Sequence, residues 1–186
     1  KVNQYDSQAM LEQFEQHGYA VAPAGAPADV YVVNTCTVTG TGDKKSLQAI
    51  RRCRRRNPGA ELVVTGCLAQ RMGEALRETG ARLILGTQYR AQVVELLEQA
   101  VRDGVQMVAV EGVSNAPYEP LTIHSHEGHT RAVMKIQEGC DRYCAYCIIP
   151  SVRGPVRSMP LEDVRAEAQR LGEAGYREIV VTGIHL

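Results

Sequence analysis

The sequence predicts an α/β protein: an open parallel sheet with helices on both faces, followed by the start of a second α/β unit with a barrel-like parallel sheet. Over the first hundred residues, short apolar runs typical of buried parallel strands alternate with helix-length segments. The alternation stops in a stretch that contains several prolines and histidines, and it resumes at Arg131. Three closely spaced cysteines follow the first strand of this second unit.

The first unit, residues 1–103, is expected to open with a helix and to continue with three strand and helix pairs. Asn3 to His17 carries an apolar stripe typical of a helix and is followed by Gly18. The predicted strands are the apolar runs Asp29–Cys36, Glu61–Cys67 and Arg82–Gly86. The predicted helices that follow them are Asp43–Asn57, with Asp43 as its cap, Ala69–Thr79 and Tyr89–Val101.

Residues 104–129 are interpreted as a linker in which Val105–Val110 is a candidate further strand. Residues 130–186 begin the second unit, with a strand at Arg131–Gln137, a helix at Pro160–Ala174 and a strand at Glu178–Thr182. The chain starts without a methionine and closes in the middle of a pattern. We therefore expect it to be a fragment of a longer protein.

Composition excludes several classes of function. Basic and acidic residues balance at 21 each, so any attraction to nucleic acid must be local. No apolar run approaches the roughly 20 residues that a membrane span needs, and none resembles a signal peptide. Six cysteines are too few for a disulfide scaffold in 186 residues, and as ligands they suit a reducing compartment. We expect a cytoplasmic protein that does not associate with membranes.

The spacing of Cys140, Cys144 and Cys147 indicates a metal centre. Gaps of three and two residues allow one short loop to direct three thiolates at one point. Three thiolates do not complete a tetrahedral zinc site or a four-thiolate iron–sulfur site. They can hold three irons of a 4Fe-4S cluster and leave the fourth iron open for catalysis. The alternative is a zinc knuckle whose fourth ligand, such as a histidine, lies elsewhere.

A second pair of cysteines, Cys36 and Cys67, ends two of the predicted strands. Because the carboxyl ends of parallel strands lie on one edge of a sheet, the two thiols are expected to converge there. Helix amino termini at the same edge would favour an anionic cluster. Two thiolates are too few for a cubane cluster, so a third ligand is expected.

The three-cysteine loop resembles that of the radical S-adenosylmethionine (SAM) enzymes, in which an aromatic residue, here Tyr146, precedes the last cysteine. Five segments resemble more specifically the methylthiotransferases within this group: Lys1–Ser7, Val33–Thr39, Val64–Gln70, Lys135–Cys140 and Arg153–Ser158. The resemblance implies that Cys140, Cys144 and Cys147 hold a 4Fe-4S cluster, whose open iron binds SAM and from which a 5′-deoxyadenosyl radical is generated. It also implies a partial (β/α) barrel for the second unit.

The same resemblance implies an auxiliary 4Fe-4S cluster on Cys36, Cys67 and a third cysteine that would directly precede Lys1. Thr182 and Gly183 would meet the methionine part of SAM, and Arg153 would reach its carboxylate or a substrate phosphate. A salt bridge is the alternative for Arg153, as it is for Arg157. Met159 stands where the family often has arginine. The expected partners are SAM, tRNA and a flavodoxin- or ferredoxin-like electron donor.

Two segments, Asn34–Thr39 and Thr182–Leu186, are most similar to the family members that add a methylthio group to carbon 2 of threonylcarbamoyladenosine, at position 37 of tRNA, next to the anticodon. Sister enzymes act on isopentenyladenosine in tRNA or on an aspartate of a ribosomal protein. A structural iron–sulfur or zinc protein that only binds RNA is the alternative that is not an enzyme.

Three further features have a structural and a functional interpretation. Cys53 falls on the apolar face of its helix and is expected to pack as a small apolar side chain. The basic run Arg51–Arg56 is interpreted as a solvated helix face or as a surface for the tRNA backbone. His124, His126 and His129 are interpreted as linker residues, with metal ligation as the alternative.

Overall fold

The structure is a computed structural model, and it describes residues 2–23, 25–123 and 130–186. Lys1 and the three histidines at 124, 126 and 129 lie outside the described residues. The helices are α1 Val2–Gln16, α2 Gly40–Arg56, α3 Cys67–Met72, α4 Val93–Arg102, α5 Ile149–Arg153 and α6 Leu161–Glu173. The strands are β1 Val30–Thr35, β2 Glu61–Gly66, β3 Leu83–Leu85, β4 Met107–Ala109, β5 Ala132–Lys135, β6 Gln137–Glu138, β7 Arg157–Ser158 and β8 Ile179–Thr182.

Strands β1 to β4 form a parallel sheet in sequence order, with helices on both faces as predicted. Val63 of β2 belongs to a core cluster with Met10 and Phe14 of α1 and with α4. Its neighbour Val64 belongs to a second cluster, on the opposite face, with Ile50 of α2 and with α3. Successive strand residues thus bury opposite faces of the sheet, which is why the strands are continuous apolar runs.

Helix α2 begins earlier than predicted, because Thr39 and not Asp43 is its amino-terminal cap. The Thr39 hydroxyl accepts a hydrogen bond from the Gly42 amide at 3.1 Å. Asp43 lies in the first turn and pairs instead with Arg71 at 2.7 Å.

The next two predicted helices are interrupted. The segment that starts at Cys67 becomes a 3₁₀ helix at Gly73, which has a φ of 48°. A 3₁₀ turn over Arg90–Gln92 precedes α4, after Tyr89 adopts a left-handed conformation with a φ of 62°. Arg90, the first residue of this turn, has its side chain buried in an ion cluster described below.

The segment interpreted as a linker is packed in its described part. It supplies β4, which pairs with β3, as the candidate strand within it suggested. Its residues Val113, Leu121 and Ile123 are buried. Leu121 and Ile123 lie in one cluster with Tyr5 and Ala9 of α1 and with residues of the second unit. This segment therefore fills the space between the two units.

The second unit contains a parallel β5–α6–β8 arrangement in which Lys135 and Thr182 are register partners. The strand predicted to run to Gln137 changes partner at Ile136, whose amide donates to Thr182 and whose carbonyl accepts from Met159. Beyond this point β6 pairs antiparallel with β7, and the cysteine loop and α5 lie between the two strands along the chain. The sequence pattern did not predict this pairing. This change of partner leads the chain from the sheet into the three-cysteine loop. Among the described residues, no helix is both long and apolar enough to cross a bilayer.

Candidate metal centre

Cys36 and Cys67 lie next to one another at the carboxyl edge of the four-stranded sheet. Thr35 and Gly66 are register partners, and each cysteine directly follows one of them. Cys67 is buried, Cys36 is half-buried and both thiols are free. Burial raises the pKa of the Cys67 thiol, the neighbouring Arg153 guanidinium opposes this rise, and Cys36 adds to it. The parallel pairing thus places the two cysteines at neighbouring positions on one edge of the sheet, the edge that the strand pattern predicted.

Glycine is required at the turn that leads into Cys67. Gly66 has a φ of 93°, and a Cβ atom there would lie 2.5 Å from the carbonyl oxygen of Thr35 and 2.6 Å from Oδ1 of Asn34. The absence of this side chain lets β1 approach the β2–α3 turn closely. The close approach is what places Cys36 beside Cys67.

Thr35 fixes the start of α3, where Cys67 is the first residue. Its hydroxyl donates to the carbonyl oxygen of Thr65 at 2.5 Å. The same oxygen accepts from the amides of Leu68 at 3.2 Å and Ala69 at 3.3 Å. Gly66, the capping residue, has no side chain for this task, so a threonine on the neighbouring strand performs it. This structural role of Thr35 was not evident from the sequence.

The three-cysteine loop connects β6 to α5 and is held at its base. The Cys140 amide donates to the Gly154 carbonyl at 3.0 Å, and the Val156 amide donates to Oδ1 of Asp141 at 3.2 Å. Within the loop, Cys147 donates to the Cys144 carbonyl at 2.9 Å and forms a turn. Cys144 is exposed, whereas Cys140 and Cys147 are half-buried, and all three thiols are free.

Tyr146 also lies in this loop and is 92% exposed. Three free thiols within eight residues form a donor set that suits iron, and the loop is open to solvent on the side of Cys144. In the part of the chain that the structure describes, no three His, Cys, Asp or Glu side chains are grouped closely enough to hold a metal ion.

Arg153, at the end of α5, joins the two cysteine sets. Its Nε donates to Sγ of Cys67 at 3.2 Å. Its Nη1 donates to Oε1 of Glu138 at 2.7 Å, and its Nη2 donates to Oδ1 of Asn3 at 2.8 Å. The side chain is 4% exposed. These contacts agree with the salt-bridge alternative that the sequence left open for this arginine.

A buried ion cluster surrounds this contact and spans both units. Its members are Asp6, Arg90, Glu119, Lys135, Glu138 and Arg153. Burial alone would raise the pKa of Glu138, but Arg90, Lys135 and Arg153 together hold it well below its usual range. Arg90 keeps a pKa well above its usual value, since Asp6, Glu138 and Glu119 outweigh the effect of burial. Sequence reasoning missed this cluster because its members lie far apart along the chain.

Comparison with known protein families assigns both units. The profile described as "Uncharacterized protein family UPF0004" matches residues 1–86, which include Cys36 and Cys67. The profile of the radical SAM superfamily matches residues 134–185, which include the three-cysteine loop. The chain thus carries a UPF0004 domain followed by a radical SAM domain. The resemblance stated from the cysteine spacing is thereby confirmed.

The chain is also similar to curated methylthiotransferases along its whole length. It is 44% identical over 187 residues to the threonylcarbamoyladenosine tRNA methylthiotransferase MtaB of Bacillus subtilis, covering 100% of this chain and 42% of that protein. It is 37% identical to MtaB of Aquifex aeolicus, covering 100% of this chain and 46% of that protein. It is 35% identical to a tRNA-2-methylthio-N(6)-dimethylallyladenosine synthase of Anaplasma marginale, covering 98% of this chain and 41% of that protein. The chain thus spans less than half the length of these relatives.

Solved structures of radical SAM enzymes share the fold. The radical SAM methyltransferase TsrM of Kitasatospora setae, in a structure with cobalamin and a [4Fe-4S] cluster bound, matches with a TM-score of 0.60 and 14% identity. The match covers 96% of this chain and 46% of TsrM. At this level of identity the comparison supports the α/β architecture of both units.

In the radical SAM unit, Gln137 connects the strand before the cysteine loop to the turn after β8. Its Oε1 accepts from the amides of Ile184 at 2.8 Å and His185 at 2.9 Å. A Cβ atom on Gly183 would lie 2.9 Å from Cβ of Gln137, so the turn depends on glycine at this position. Thr182 is buried at the end of β8. These residues place Thr182 and Gly183 beside the strand that enters the three-cysteine loop.

Two further arginines that the sequence analysis named, Arg157 and Arg54, donate hydrogen bonds to backbone carbonyls. Arg157 is half-buried and donates to the carbonyls of Val113 at 3.3 Å and Arg153 at 2.8 Å. Arg54 of the basic run donates to the carbonyl of Ala60 at 2.8 Å and also to that of Gly80. In contrast, Arg51, Arg52, Arg55 and Arg56 are exposed, as are Lys44 and Lys45.

Cys53, half-buried, packs against the cluster that contains Ile50, and burial raises its pKa. This agrees with its interpretation as a small apolar side chain. Met159, where the family often has arginine, is 7% exposed and therefore fills space in the interior.

Proposed function

We propose that the protein is a radical SAM methylthiotransferase that modifies carbon 2 of threonylcarbamoyladenosine at position 37 of tRNA. The observation that supports it best is the contact between Arg153 and Cys67, which joins the cysteine pair of the first unit to the base of the three-cysteine loop. The MtaB relatives are threonylcarbamoyladenosine tRNA methylthiotransferases, and their similarity to this chain suggests the reaction and the substrate. A C–H bond of adenine resists ordinary acid–base and nucleophilic chemistry, so a cofactor of this kind is needed.

In this proposal Cys140, Cys144 and Cys147 hold a 4Fe-4S cluster to which SAM binds. When bound, the cluster and SAM together supply a radical able to abstract hydrogen from an unactivated C–H bond. The chain positions the thiolates through hydrogen bonds at the base of the loop, from Cys140 to Gly154 and from Val156 to Asp141. Tyr146, Thr182 and Gly183 are the candidate SAM contacts.

Cys36 and Cys67, with a third thiolate expected directly before Lys1, would hold a second 4Fe-4S cluster that carries the sulfur to be transferred. The chain contributes the close approach of β1 to the turn at Gly66 and the N–H donor of Arg153. Because Arg153 is already bound to Glu138 and Asn3, we assign it to the surroundings of Cys67 and not to the SAM carboxylate.

The proposed partners follow from the reaction. SAM is the co-substrate, tRNA is the substrate, and a flavodoxin- or ferredoxin-like protein is the electron donor, all in the cytoplasm. The exposed basic residues of α2 provide a local surface for the tRNA backbone on a chain that is neutral overall.

Anaerobic reconstitution of the full-length protein tests the reaction. Reduced with dithionite, the iron-loaded protein should convert SAM to 5′-deoxyadenosine, and a Cys144→Ala variant should not. With tRNA that carries threonylcarbamoyladenosine, mass spectrometry should detect the added methylthio group. A protein that binds zinc, holds no inorganic sulfide and leaves SAM intact would contradict the proposal.

The relative that carries the name dimethylallyladenosine synthase supports a second candidate substrate. An aspartate of a ribosomal protein, on which sister enzymes act, is a third candidate substrate. Parallel assays with tRNA carrying isopentenyladenosine and with the ribosomal protein distinguish these, because only one substrate should gain the methylthio group.

A further inference from the structure

Arg153 has three hydrogen-bonding directions, and each reaches a different part of the chain. One reaches Cys67 at the start of α3, another reaches Glu138 in β6, and the third reaches Asn3 in α1. The guanidinium is 4% exposed, so the protein and not water must satisfy its donors. The planar guanidinium holds its donors on three nitrogens in fixed directions, which suits three separate partners, whereas the donors of a lysine ammonium all lie on one nitrogen.

The Glu138 contact closes the three-cysteine loop at its base. Glu138 lies two residues before Cys140, and Arg153 lies six residues after Cys147. Their ion pair, with an N–O distance of 2.7 Å, therefore fixes both ends of the segment that carries the three cysteines. The hydrogen bond from Cys140 to Gly154 reinforces this closure.

The Asn3 contact extends the arrangement to Cys36. Asn3 accepts from Arg153 and donates, through Nδ2, to the carbonyl oxygen of Thr35 at 3.2 Å. Thr35 directly precedes Cys36. A single buried side chain is thus connected to one thiol directly and to the backbone beside two other cysteines.

An N–H donor on a cluster-bound sulfur stabilises the more negative, reduced state of the cluster. Hydrogen bonds to the sulfurs are among the factors that set the reduction potential of iron–sulfur clusters. The donor here is charged and buried, which makes its interaction with a thiolate stronger than that of a neutral donor in water.

We propose that Arg153 is a positioning residue that couples the two cysteine sites, raising the reduction potential of the cluster on Cys36 and Cys67 while it closes the loop that carries the other cluster. This inference rests on the proposed function, because it requires iron at Cys36 and Cys67. It assigns a role in the reaction to a residue that is not expected to ligate iron or contact the substrate.

The test uses the full-length protein with Cys140, Cys144 and Cys147 all changed to alanine, so that iron is held only at the first-unit site. In this parent we compare Arg153→Gln and Arg153→Lys with the control Arg157→Gln. Arg157 lies in the same region, and among the described residues it donates to the backbone carbonyls of Val113 and Arg153, so its change removes a nearby positive charge but no N–H···S contact. The measurement is a redox titration followed by electron paramagnetic resonance.

We expect Arg153→Gln to lower the midpoint potential of the cluster. The expected change is about tenfold in the ratio of oxidised to reduced cluster at a fixed potential, about 59 mV for a one-electron couple. Arg153→Lys keeps the charge and should show a smaller shift in the same direction. Arg157→Gln should stay close to the parent.

If the midpoint reduction potential of the cluster in both Arg153 variants equals that in Arg157→Gln, the inference is overturned. Loss of iron from both Arg153 variants with the fold intact by circular dichroism would support it, since a positioning role includes assembly of the site. Unfolding of both variants, but not of Arg157→Gln, would replace it with a purely structural role. A parent that holds no cluster would instead refute the proposed auxiliary site, and the two failures are therefore distinguishable.

Discussion

Asp6 and Arg90 form a buried ion pair at 2.6 Å although 84 residues separate them along the chain. Each side chain is 1% exposed. Lys135 of the second unit bonds to the other carboxylate oxygen of Asp6, and Glu138 accepts from Arg90 at 3.0 Å. The interface between the two units is thus built around balanced buried charges. Such a cluster tolerates the loss of a member poorly, because the remaining charges stay buried without a partner.

Replacing Glu138 with glutamine should therefore destabilise the protein strongly. The variant leaves Arg90, Lys135 and Arg153 short of a negative charge, and we expect it to lose about 3–5 kcal/mol in the free energy of unfolding at pH 7. Urea denaturation followed by circular dichroism provides the measurement. Glu74→Gln is the control, since Glu74 forms an exposed pair with Arg77, and it should leave the free energy of unfolding nearly unchanged. An equal decrease in the free energy of unfolding of the two variants would contradict the expectation that a buried charge is more costly to remove than an exposed one.

The same carboxylate makes stability depend on pH with a defined sign. The folded-state pKa of Glu138 is depressed below the unfolded value of about 4.3. Its contribution is therefore fully present above the unfolded pKa and is lost as the pH falls towards the folded pKa. Between pH 5 and pH 3, approximately, the unmodified protein should lose stability more steeply than Glu138→Gln. Parallel slopes for the two proteins in this range would show that Glu138 is not held as an anion.

Thr35 and Thr37 lie on either side of Cys36 and provide a matched test of the hydrogen bonds near Cys67. Thr35→Val removes a buried hydroxyl that is hydrogen-bonded to the backbone of Thr65, Leu68 and Ala69. We therefore expect it to lower the free energy of unfolding by about 1–3 kcal/mol. Thr37→Val removes a hydroxyl oxygen that is buried without a partner among the described residues, so it should be neutral or stabilising. Thermal unfolding of the two variants measures the difference. A similar loss in both would mean that the Thr35 hydrogen bonds are not what fixes the start of α3.

The elements that the sequence predicted correctly are those that a local pattern of apolar residues determines. The strands that end near Cys36 and Cys67 follow from apolar runs, and their parallel pairing brings the cysteines to one edge. The sequence predicts Asp43 as the cap of α2, whereas the structure places Thr39 there. Both residue types favour this position, so residue type alone does not fix where the helix begins. The change of partner at Ile136 depends on β7 and β8, which come later in the chain.

The sequence indicates the thiols of the candidate site and gives no sign of the residues around them. Spacing alone marks Cys140, Cys144 and Cys147, because ligands of one loop lie close together in sequence. The partners of Arg153 come from residues 3, 67 and 138, and no local pattern relates them. Asp6 on the buried side of α1 was the available signal, since a charged residue among core positions needs a buried partner.

Gly66→Ala should disrupt the turn that positions Cys67. The new Cβ would lie 2.5 Å from the carbonyl oxygen of Thr35, in a backbone conformation that non-glycine residues rarely adopt. We expect a loss of about 2–4 kcal/mol in the free energy of unfolding, since steric strain adds to the conformational cost. Gly172→Ala is the control: it lies in α6 with open space around it and should stabilise the protein by up to about 1 kcal/mol. Wild-type stability in Gly66→Ala would mean that β1 can move away from the turn.

The basic helix α2 contains one arginine that is hydrogen-bonded to the rest of the fold and several that are exposed to solvent. The proposed tRNA contacts belong to the exposed ones. Arg54 donates to the carbonyls of Ala60 and Gly80, so Arg54→Gln should lower the free energy of unfolding by about 1–2 kcal/mol and change tRNA affinity little. Arg51 and Arg55 are exposed, and reversing both charges should weaken tRNA binding without affecting stability. Each lost phosphate contact should reduce the slope of log K against log salt by about 1. Filter binding at several salt concentrations measures this slope. If Arg51→Glu with Arg55→Glu binds tRNA with an unchanged slope, the basic face of α2 is a solvated surface and the tRNA contacts lie elsewhere.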